Sequence, residues 1–591
     1  MKVSDYVIKF LEDIGINHIY GLSGGMIMHL LDSIGNNKNV NFIPFHHEQG
    51  ACIASEGESI YKNDLAVCLT TAGPGILNTI NPISSAFTDC NALLVIAGQC
   101  KVSDSMCGTG LRQKGVQEVN AVDILKPITK YSVSIKDKNL VRYYLEKAVY
   151  LATTGKKGTS FVEIPLDIQG EDIDETSLIG YNFLEETNVE ENINRKVVKL
   201  IKYINKSKNP IILAGNGIRL SKGYDLFKDI ISKLKIPVQL TWKTVDFLDE
   251  NDPLNFGRPG SVSSRYANII LQNCDLLLCI GTRLDLPTVA YSYPNFAPNA
   301  KKIIVDIDKN EIEKLNFDLE FNTDAFNFLI MLKNNINNIN ININDWLNYC
   351  SNLKNKYPIC LSEYYKENDF INPYVFLEEL SKELLTEDII VPSSSGSATE
   401  IPCQAFKIKE GQRFIHSNMI GSMGYAISHS IGVSFATNKE KRVICIEGDG
   451  SFQMNMSEIQ LITQYKLPIK IFIFNNRGFN SIKNTQDKFF NSHYVGSTPE
   501  SGVTFPELYK IANAFDIPYY KIKNNNEISI IKDLLKDNSY MIIEVFTNPN
   551  QKTVPRVESK VDINGKIISG KLEDMFPFLS EEELKSNMIR D

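Results

Sequence analysis

Two short segments constrain this chain more than anything else in it. One reads Glu-Gly-Asp-Gly-Ser-Phe-Gln-Met-Asn from Glu447, the other Ile-Phe-Ile-Phe-Asn-Asn-Arg-Gly from Ile471. Residues 443–446 form a short, mostly β-branched run that stops at Gly448-Asp449-Gly450. Residues 456–465 carry a helical pattern, and residues 469–474 form a second apolar run ending at Asn475-Asn476. Strand, helix and strand of that length predict a βαβ unit with parallel strands. Asp449 and Asn476 then stand just past the carboxyl ends of two strands, where open α/β sheets bind ligands. Gly448 and Gly450 allow the backbone close to a phosphate. A carboxylate, an amide oxygen and a main-chain carbonyl, with phosphate oxygens completing the shell, suit Mg²⁺. An Asp in a strand-turn-helix is by itself an ordinary structural feature, so a second, independent signal decides.

That signal lies near the start of the chain. From Pro44 it reads Pro-Phe-His-His-Glu-Gln-Gly-Ala-Cys-Ile-Ala-Ser-Glu-Gly. Residues 41–45 read as a strand and the small residues from Gly50 as a tightly packed helix, with Glu48 at the junction. A Glu at a helix start is usually a surface residue that complements the helix dipole. Taken together, however, the two segments resemble the HEQGA and GDG…NN signatures of thiamine diphosphate enzymes. In that chemistry a carboxyl group on N1′ of the aminopyrimidine promotes the imino tautomer, whose 4′-nitrogen removes the proton from thiazolium C2. Such a carboxyl exchanges protons near neutral pH only in a poorly solvated setting. The resemblance implies that Glu48 is the catalytic residue.

Composition bounds the remaining possibilities. At 591 residues the chain is too long for one core. A net charge of −8 argues against a nucleic-acid partner, which favours a basic face. The 11 cysteines show no CxxC spacing and mostly lie in apolar runs, such as Cys68, Cys279 and Cys445, as expected of reduced thiols in a cytoplasmic protein. Residues 1–20 read as an amphipathic helix rather than a signal peptide, and no apolar run is long enough to span a bilayer.

The expected fold class is α/β, with three consecutive doubly wound, mostly parallel-sheet domains. Residues 1–172 form the first block and contain Glu48 and Thr71-Ala72-Gly73-Pro74-Gly75. A polar connector follows over residues 171–194. Residues 190–335 form the central block, and residues 373–548 form the third, which carries Asp449. The Asn- and Ile-rich stretch 334–344 reads as a linker or part of a surface helix, and residues 549–591 as a charged tail. No short tandem repeat is visible.

Within the superfamily the chain most resembles the acetolactate synthase-like branch, over nearly its whole length except the tail. The resemblance implies a pyrimidine-binding domain, a central domain and a diphosphate-binding domain, in that order. Asp449 and Asn476 match the side-chain metal ligands, with the Gly478 carbonyl as third ligand. Gly421-Ser422-Met423-Gly424 matches the segment that holds the cofactor in its V shape, with Met423 as the wedge and the Gly421 carbonyl on the 4′-amino group. Gly73 belongs to a TSGPG-like loop near the pyrimidine, and Gln99 matches an active-site Gln. Ser395 and Gly396 lie in a diphosphate loop, joined by Gly448, Gly450 and Ser451. The family places each site between two subunits, which implies at least a homodimer, with a tetramer also open.

In the central block, Gly215, Arg283 and Asp306 lie in stretches that resemble FAD contacts of acetolactate synthases. Many family members keep this fold without flavin, and Gly257-Arg258-Pro259-Gly260 departs from the family's GMHG loop. FAD is therefore an open expectation, in a structural rather than a redox role. Val116-Gln117-Glu118 aligns with the Phe-Gln-Glu segment of acetolactate synthases, whose aromatic helps define a small keto-acid pocket, so Val116 either opens volume beside the reactive carbon or fills core. The implied donor is a small 2-keto acid such as pyruvate. The implied acceptor is a carbonyl compound, either a second 2-keto acid or a bulkier one. The tail motif from Gly570 to Leu579 is similar to homologues that transfer a two-carbon unit to a keto-sugar nucleotide. A 2-keto-acid decarboxylase or C–C lyase remains the alternative, weakly favoured by His46-His47, and a non-catalytic binding protein with this fold is a third possibility.

Overall fold

The computed structural model describes residues 1–183, 193–561 and 567–589. Three parallel sheets follow one another along the chain. The first holds β1 (His18–Gly21), β2 (Asn41–Pro44), β3 (Ala66–Thr70), β4 (Leu93–Gln99), β5 (Tyr131–Ser134) and β6 (Thr159–Pro165) in the order β2-β1-β3-β4-β6-β5. The second holds β7 (Pro210–Ala214), β8 (Val238–Leu240), β9 (Leu276–Ile280), β10 (Lys301–Asp306) and β11 (Leu319–Asn322), in the order β11-β10-β9-β7-β8. The third holds β12 (Ile389–Pro392), β13 (Arg413–Phe414), β14 (Val443–Gly448), β15 (Ile469–Asn475), β16 (Tyr519–Ile522) and β17 (Met541–Phe546), ordered β13-β12-β14-β15-β17-β16. Strands buried on both faces are near-continuous apolar runs, as β9 is throughout and β3 and β4 are up to the polar residue at their carboxyl ends.

The first and third sheets share one topology. Each runs second, first, third, fourth, sixth, fifth in its own strand order. This architectural repeat leaves no tandem repeat in the sequence, because a core needs only apolar residues of suitable volume at the same places.

The two related units meet through the helices Glu48–Lys62 and Tyr425–Ala436. A Cβ on Gly432 would stand 1.9 Å from the Ala54 carbonyl oxygen, and one on Gly57 2.7 Å from that of His429. Only glycine allows the backbones so close. At this crossing Glu56 is fully buried against His429, with Oε2 to Nε2 at 3.4 Å, and accepts from Ser417 at 2.6 Å and Asn91 at 2.9 Å. Burial opposes its charge, but His429 and Ser417 hold the carboxyl below the usual range. Arg413 then ties all three units together. It donates to Asp246 at 3.0 Å and to the carbonyls of Tyr61 (2.9 Å) and Ile60 (3.2 Å), at the end of the Glu48–Lys62 helix.

Several expectations need correction. The first helix is only Val3–Asp13, and residues 18–20 belong to β1. Residues 456–458 are in a 3-10 turn, so the helix before β15 is Ile459–Tyr465. The central unit runs past residue 335. Trp346, Cys350 and Leu353, on the helix Asn344–Lys356, join its core, and the Trp346 indole donates to the Pro210 carbonyl at 3.0 Å. The Asn- and Ile-rich stretch is a short turn between two helices of that unit. The charged tail also has a packed part: Leu572 enters the central core, and Asn268 donates to its carbonyl at 2.9 Å. Residues 184–192 of the polar connector, which include the expected start of the central block at 190, lie outside the described residues. No helix among the described residues is long and apolar enough to cross a membrane.

Candidate active site

β14 and β15 are neighbours, with Gly448 beside Phe474, so their carboxyl ends open side by side. Asp449 begins a short helix at one end, and Asn476 follows the other, just after Asn475 closes β15. Asp449 is 4% exposed. Its Oδ2 accepts the N–H groups of Asn476 (3.1 Å) and Arg477 (2.8 Å), and Oδ1 that of Gly450 (2.8 Å). Burial pushes its carboxyl up to about 7 against those donors. A carboxylate so poorly solvated suits a cation partner. Beside it, Asn476 Oδ1 is buried and has no hydrogen-bond partner among the described residues, and Ser394 Oγ is in the same condition. These orphaned oxygens are donors of the kind a hard cation and a phosphate require.

The turns around this point are fastened to one another. Ser451 Oγ accepts from Gly424 N at 2.7 Å and lies 3.3 Å from Ser393 Oγ, so its hydroxyl works inside the protein. Asn455 donates to the Gly424 carbonyl at 2.9 Å. The turn carrying Gly421 and half-buried Met423 is thus anchored to the Asp449 loop. Ser395 and Gly396 lie ahead of the helix Ser397–Ala405. Gly396 stands close to Ser481, whose Oγ would be 3.5 Å from an added Cβ. Gly478 abuts the Ser497 carbonyl, which would lie 2.3 Å from a Cβ there.

Glu48 is the first residue of its helix and is 6% exposed. Asn78 donates to Oε2 at 2.9 Å, while Oε1 has no hydrogen-bond partner among the described residues. His47 caps the helix by accepting from Gln49 N at 3.3 Å. The His46 ring lies 3.5 Å from the buried carboxylate of Glu458. The two histidines that weakly favoured a decarboxylase therefore have structural work. Gly73 holds φ +61°, and a Cβ on it would come within 2.3 Å of the Gln117 carbonyl, so this glycine lets the loop bearing Val116 and Gln117 lie on it. Val116 is 75% exposed, which rules out core filling in this chain. Gln99 is held from within: its amide donates to Glu163 (2.9 Å) and the Val119 carbonyl (3.2 Å) and accepts from Cys100 N (2.9 Å). Both amide N–H groups are thus engaged inside the protein, and Oε1 keeps one lone pair. An open cleft of about 500 Å³ beside Glu48 is lined by Leu77, Asn78, Ile80, Asn81 and Ile420.

Gly215, Arg283 and Asp306 all line a second cavity, of about 860 Å³, between the central unit, its neighbours and the tail. Gly215 is required there by packing, since a Cβ would stand 2.2 Å from the Gly281 carbonyl oxygen. Arg283 reaches the first unit, donating to the Thr88 carbonyl at 2.7 Å. Burial raises the Asp306 carboxyl to about 6.

Comparison with known proteins agrees with this layout. The N-terminal TPP binding domain of thiamine pyrophosphate (that is, diphosphate) enzymes matches residues 1–124, the central domain 197–332, and the C-terminal TPP binding domain 394–545. The acetolactate synthase large subunit of Porphyra purpurea is 30% identical over 554 residues, covering 92% of this chain and 91% of that protein. That of Lactococcus lactis subsp. lactis is 28% identical over 555 residues, covering 94% of each. Acetolactate synthase 1, chloroplastic, of Zea mays is 26% identical over 586 residues, covering 96% of this chain and 89% of that protein. The chain belongs to the thiamine diphosphate enzymes of the acetolactate synthase type. Asp449 and Glu48 fall within the C-terminal and N-terminal domains of this family, respectively.

Sequence reasoning missed Asn78 and Glu458, and singled out Glu118 only as part of the Val116-Gln117-Glu118 segment, without a role of its own. Glu118 is buried and accepts from Ser105 Oγ, and from the N–H groups of Met106, Lys114 and Gly115 at 2.7–3.2 Å. It thereby fixes the loop bearing Val116. Asn78 and Glu458 carry no sequence signal of their own, since each acts through a partner brought near by folding.

Proposed function

We propose that this thiamine diphosphate enzyme is a Mg²⁺-dependent carboligase, which decarboxylates a small 2-keto acid, pyruvate first, and transfers the two-carbon unit to a carbonyl acceptor. The observation that carries this reading is the partnerless Asn476 Oδ1 beside the desolvated Asp449 carboxylate. With the Gly478 carbonyl these groups would hold Mg²⁺. Ser395, Gly396 and the free Ser394 hydroxyl would face the diphosphate, and Gly421 and Met423 would support the cofactor's bend. Thiamine diphosphate supplies the electron sink for decarboxylation. Glu48 Oε1 is the atom that holds and releases the proton, with Oε2 fixed by Asn78. The open cleft beside Glu48, with exposed Leu77 and Ile420, suits a second copy of the chain in a C2 dimer.

FAD would occupy the 860 Å³ cavity in a structural role, where buried, partnerless Asn216 Oδ1 and the Asp306 carboxyl offer acceptors for hydroxyl groups. The exposed Val116 leaves room for an acceptor larger than pyruvate. The test supplies purified protein with thiamine diphosphate, Mg²⁺ and pyruvate. CO₂ release and products are then followed with a second pyruvate, simple aldehydes or a keto-sugar nucleotide as acceptor. A carbon–carbon coupled product is expected. Free acetaldehyde as the sole product would favour a plain decarboxylase, and no CO₂ from any 2-keto acid would remove the catalytic reading.

A further inference from the structure

Several fully buried carboxylates of this chain meet basic side chains: Asp246 is paired with Arg219 and Arg413, Asp388 with Arg442, and Glu56 with His429. Glu458 is different. Its side chain is wholly buried, and its ion-pair partner among the described residues, the His46 ring at 3.5 Å, is half exposed. Glu458 Oε2 also accepts the main-chain N–H of His46, at 3.2 Å. Burial raises this carboxyl above its usual value, against that N–H and the His46 ring.

The contact reaches both sides of Glu48. His46 lies two residues before it and Gly50 two residues after it. A Cβ on Gly50 would stand 2.9 Å from Glu458 Cγ and 3.0 Å from Cδ and Oε1, so glycine is what admits this carboxyl against the first turn of the helix Glu48–Lys62. The other end of the connection is the Asp449 loop. Glu458 closes the turn Gln453–Glu458, which follows directly on the helix Asp449–Phe452. Gln453 donates back to the Asp449 carbonyl at 3.1 Å, and Asn455 to the Gly424 carbonyl at 2.9 Å, so the turn is fastened to both loops of the third unit. An N–H ahead of a helix start can be satisfied locally, as His47 does for Gln49 N. Here the acceptor comes from another unit, although a buried carboxyl is costly and glycine weakens a helix. The result is a Glu48 held twice, its side chain by Asn78 and its backbone by Glu458.

We propose that Glu458 is a positioning residue for Glu48: by holding the His46 N–H it sets the place of the Glu48 backbone from the Asp449 loop, within one chain. The inference rests on the roles given to Glu48 and Asp449 in the proposed function.

The experiment measures hydrogen–deuterium exchange at thiazolium C2 in enzyme loaded with thiamine diphosphate and Mg²⁺, for the wild type, Glu458→Gln, Glu458→Asp and Glu458→Ala. Gln keeps the reach and an acceptor oxygen without the charge, and should stay within about threefold of the wild type. Asp keeps the charge but is one methylene too short for the His46 N–H. It should slow exchange by about 10–100-fold, as should Ala, because a small displacement of a catalytic group costs that much. Cofactor affinity, read by calorimetry, should stay close to wild type in all three. The Gln and Asp variants decide the question should Glu458→Ala not fold. Slow exchange in Glu458→Gln would put the charge rather than the held N–H at work and overturn the proposal, as would wild-type exchange in Glu458→Asp. A loss of cofactor affinity that parallels the slowing would assign Glu458 to the metal loop alone, and overturn it too. Glu48→Gln is measured beside them. Wild-type exchange there removes the role of Glu48 and this inference with it, whereas slow exchange there with fast exchange in Glu458→Asp removes this inference alone.

Discussion

Asn78 donates its side-chain amide to Glu48 Oε2 at 2.9 Å, while Oε1 has no hydrogen-bond partner among the described residues, so one oxygen is held and the other is left free. A carboxyl that must work at one atom gains from having the other immobilised. Asn78→Ala should therefore slow proton exchange at thiazolium C2 by roughly tenfold, because a hydrogen bond to a charged group contributes about 1.5–3 kcal/mol. Asn78→Asp should be worse, since it sets two carboxylates together. Exchange measured by NMR at fixed pH checks this, and wild-type rates in both variants would assign Asn78 to folding alone.

Asp449→Ala should abolish Mg²⁺-dependent binding of thiamine diphosphate, because the diphosphate loses its charge-neutralising bridge. Calorimetric titration with and without Mg²⁺ reads this directly. Unchanged affinity would move the metal elsewhere.

How much of this was legible in the sequence depends on range. Asp449 and Asn476 could be read because strand, turn and helix are local, and strand ends in a parallel sheet point the same way. The same local logic located Glu48. Asn78 lies on a different element from Glu48, and nothing near it in sequence reports the contact. The partners of Gln99 were not legible either, because a strand-end glutamine looks alike in sequence whether or not its N–H groups bind Glu163 and a neighbouring carbonyl, as they do here. The packed part of the tail was hidden too. Its charges are real, but Leu572 and Met575 are buried among central residues that only the fold brings near.

Val116→Phe tests acceptor choice. At 75% exposure the added ring meets no packed core, so thermal stability should hold. Selectivity between a bulky acceptor and pyruvate should shift by about 10–200-fold towards pyruvate. Competition assays with both acceptors give the ratio, and an unaltered ratio would remove Val116 from the pocket.

His416 sets an acid limb to stability. It is buried, with Nε2 3.0 Å from the Trp242 carbonyl and Nδ1 without a partner. Burial first, and Lys243 second, lower its pKa from 6.5 to about 4. The unfolded chain therefore takes up this proton at a pH where the folded chain does not. The stabilisation is complete above pH 6.5 and is lost as pH falls towards 4, by up to about 3 kcal/mol. Denaturant titrations of wild type and His416→Gln across that window check it. The variant should lose stability less steeply on acidification, and parallel curves would assign the acid limb to other groups.

The most direct test of the whole account is hydrogen–deuterium exchange at thiazolium C2 in the Mg²⁺-loaded enzyme, wild type against Glu48→Gln. The substitution keeps the side chain's size and removes its ability to exchange a proton. Exchange should slow by about 10²–10⁴-fold while cofactor affinity stays close to wild type. Near-wild-type exchange in Glu48→Gln with bound cofactor would contradict the assignment of Glu48, and with it the catalytic site described above.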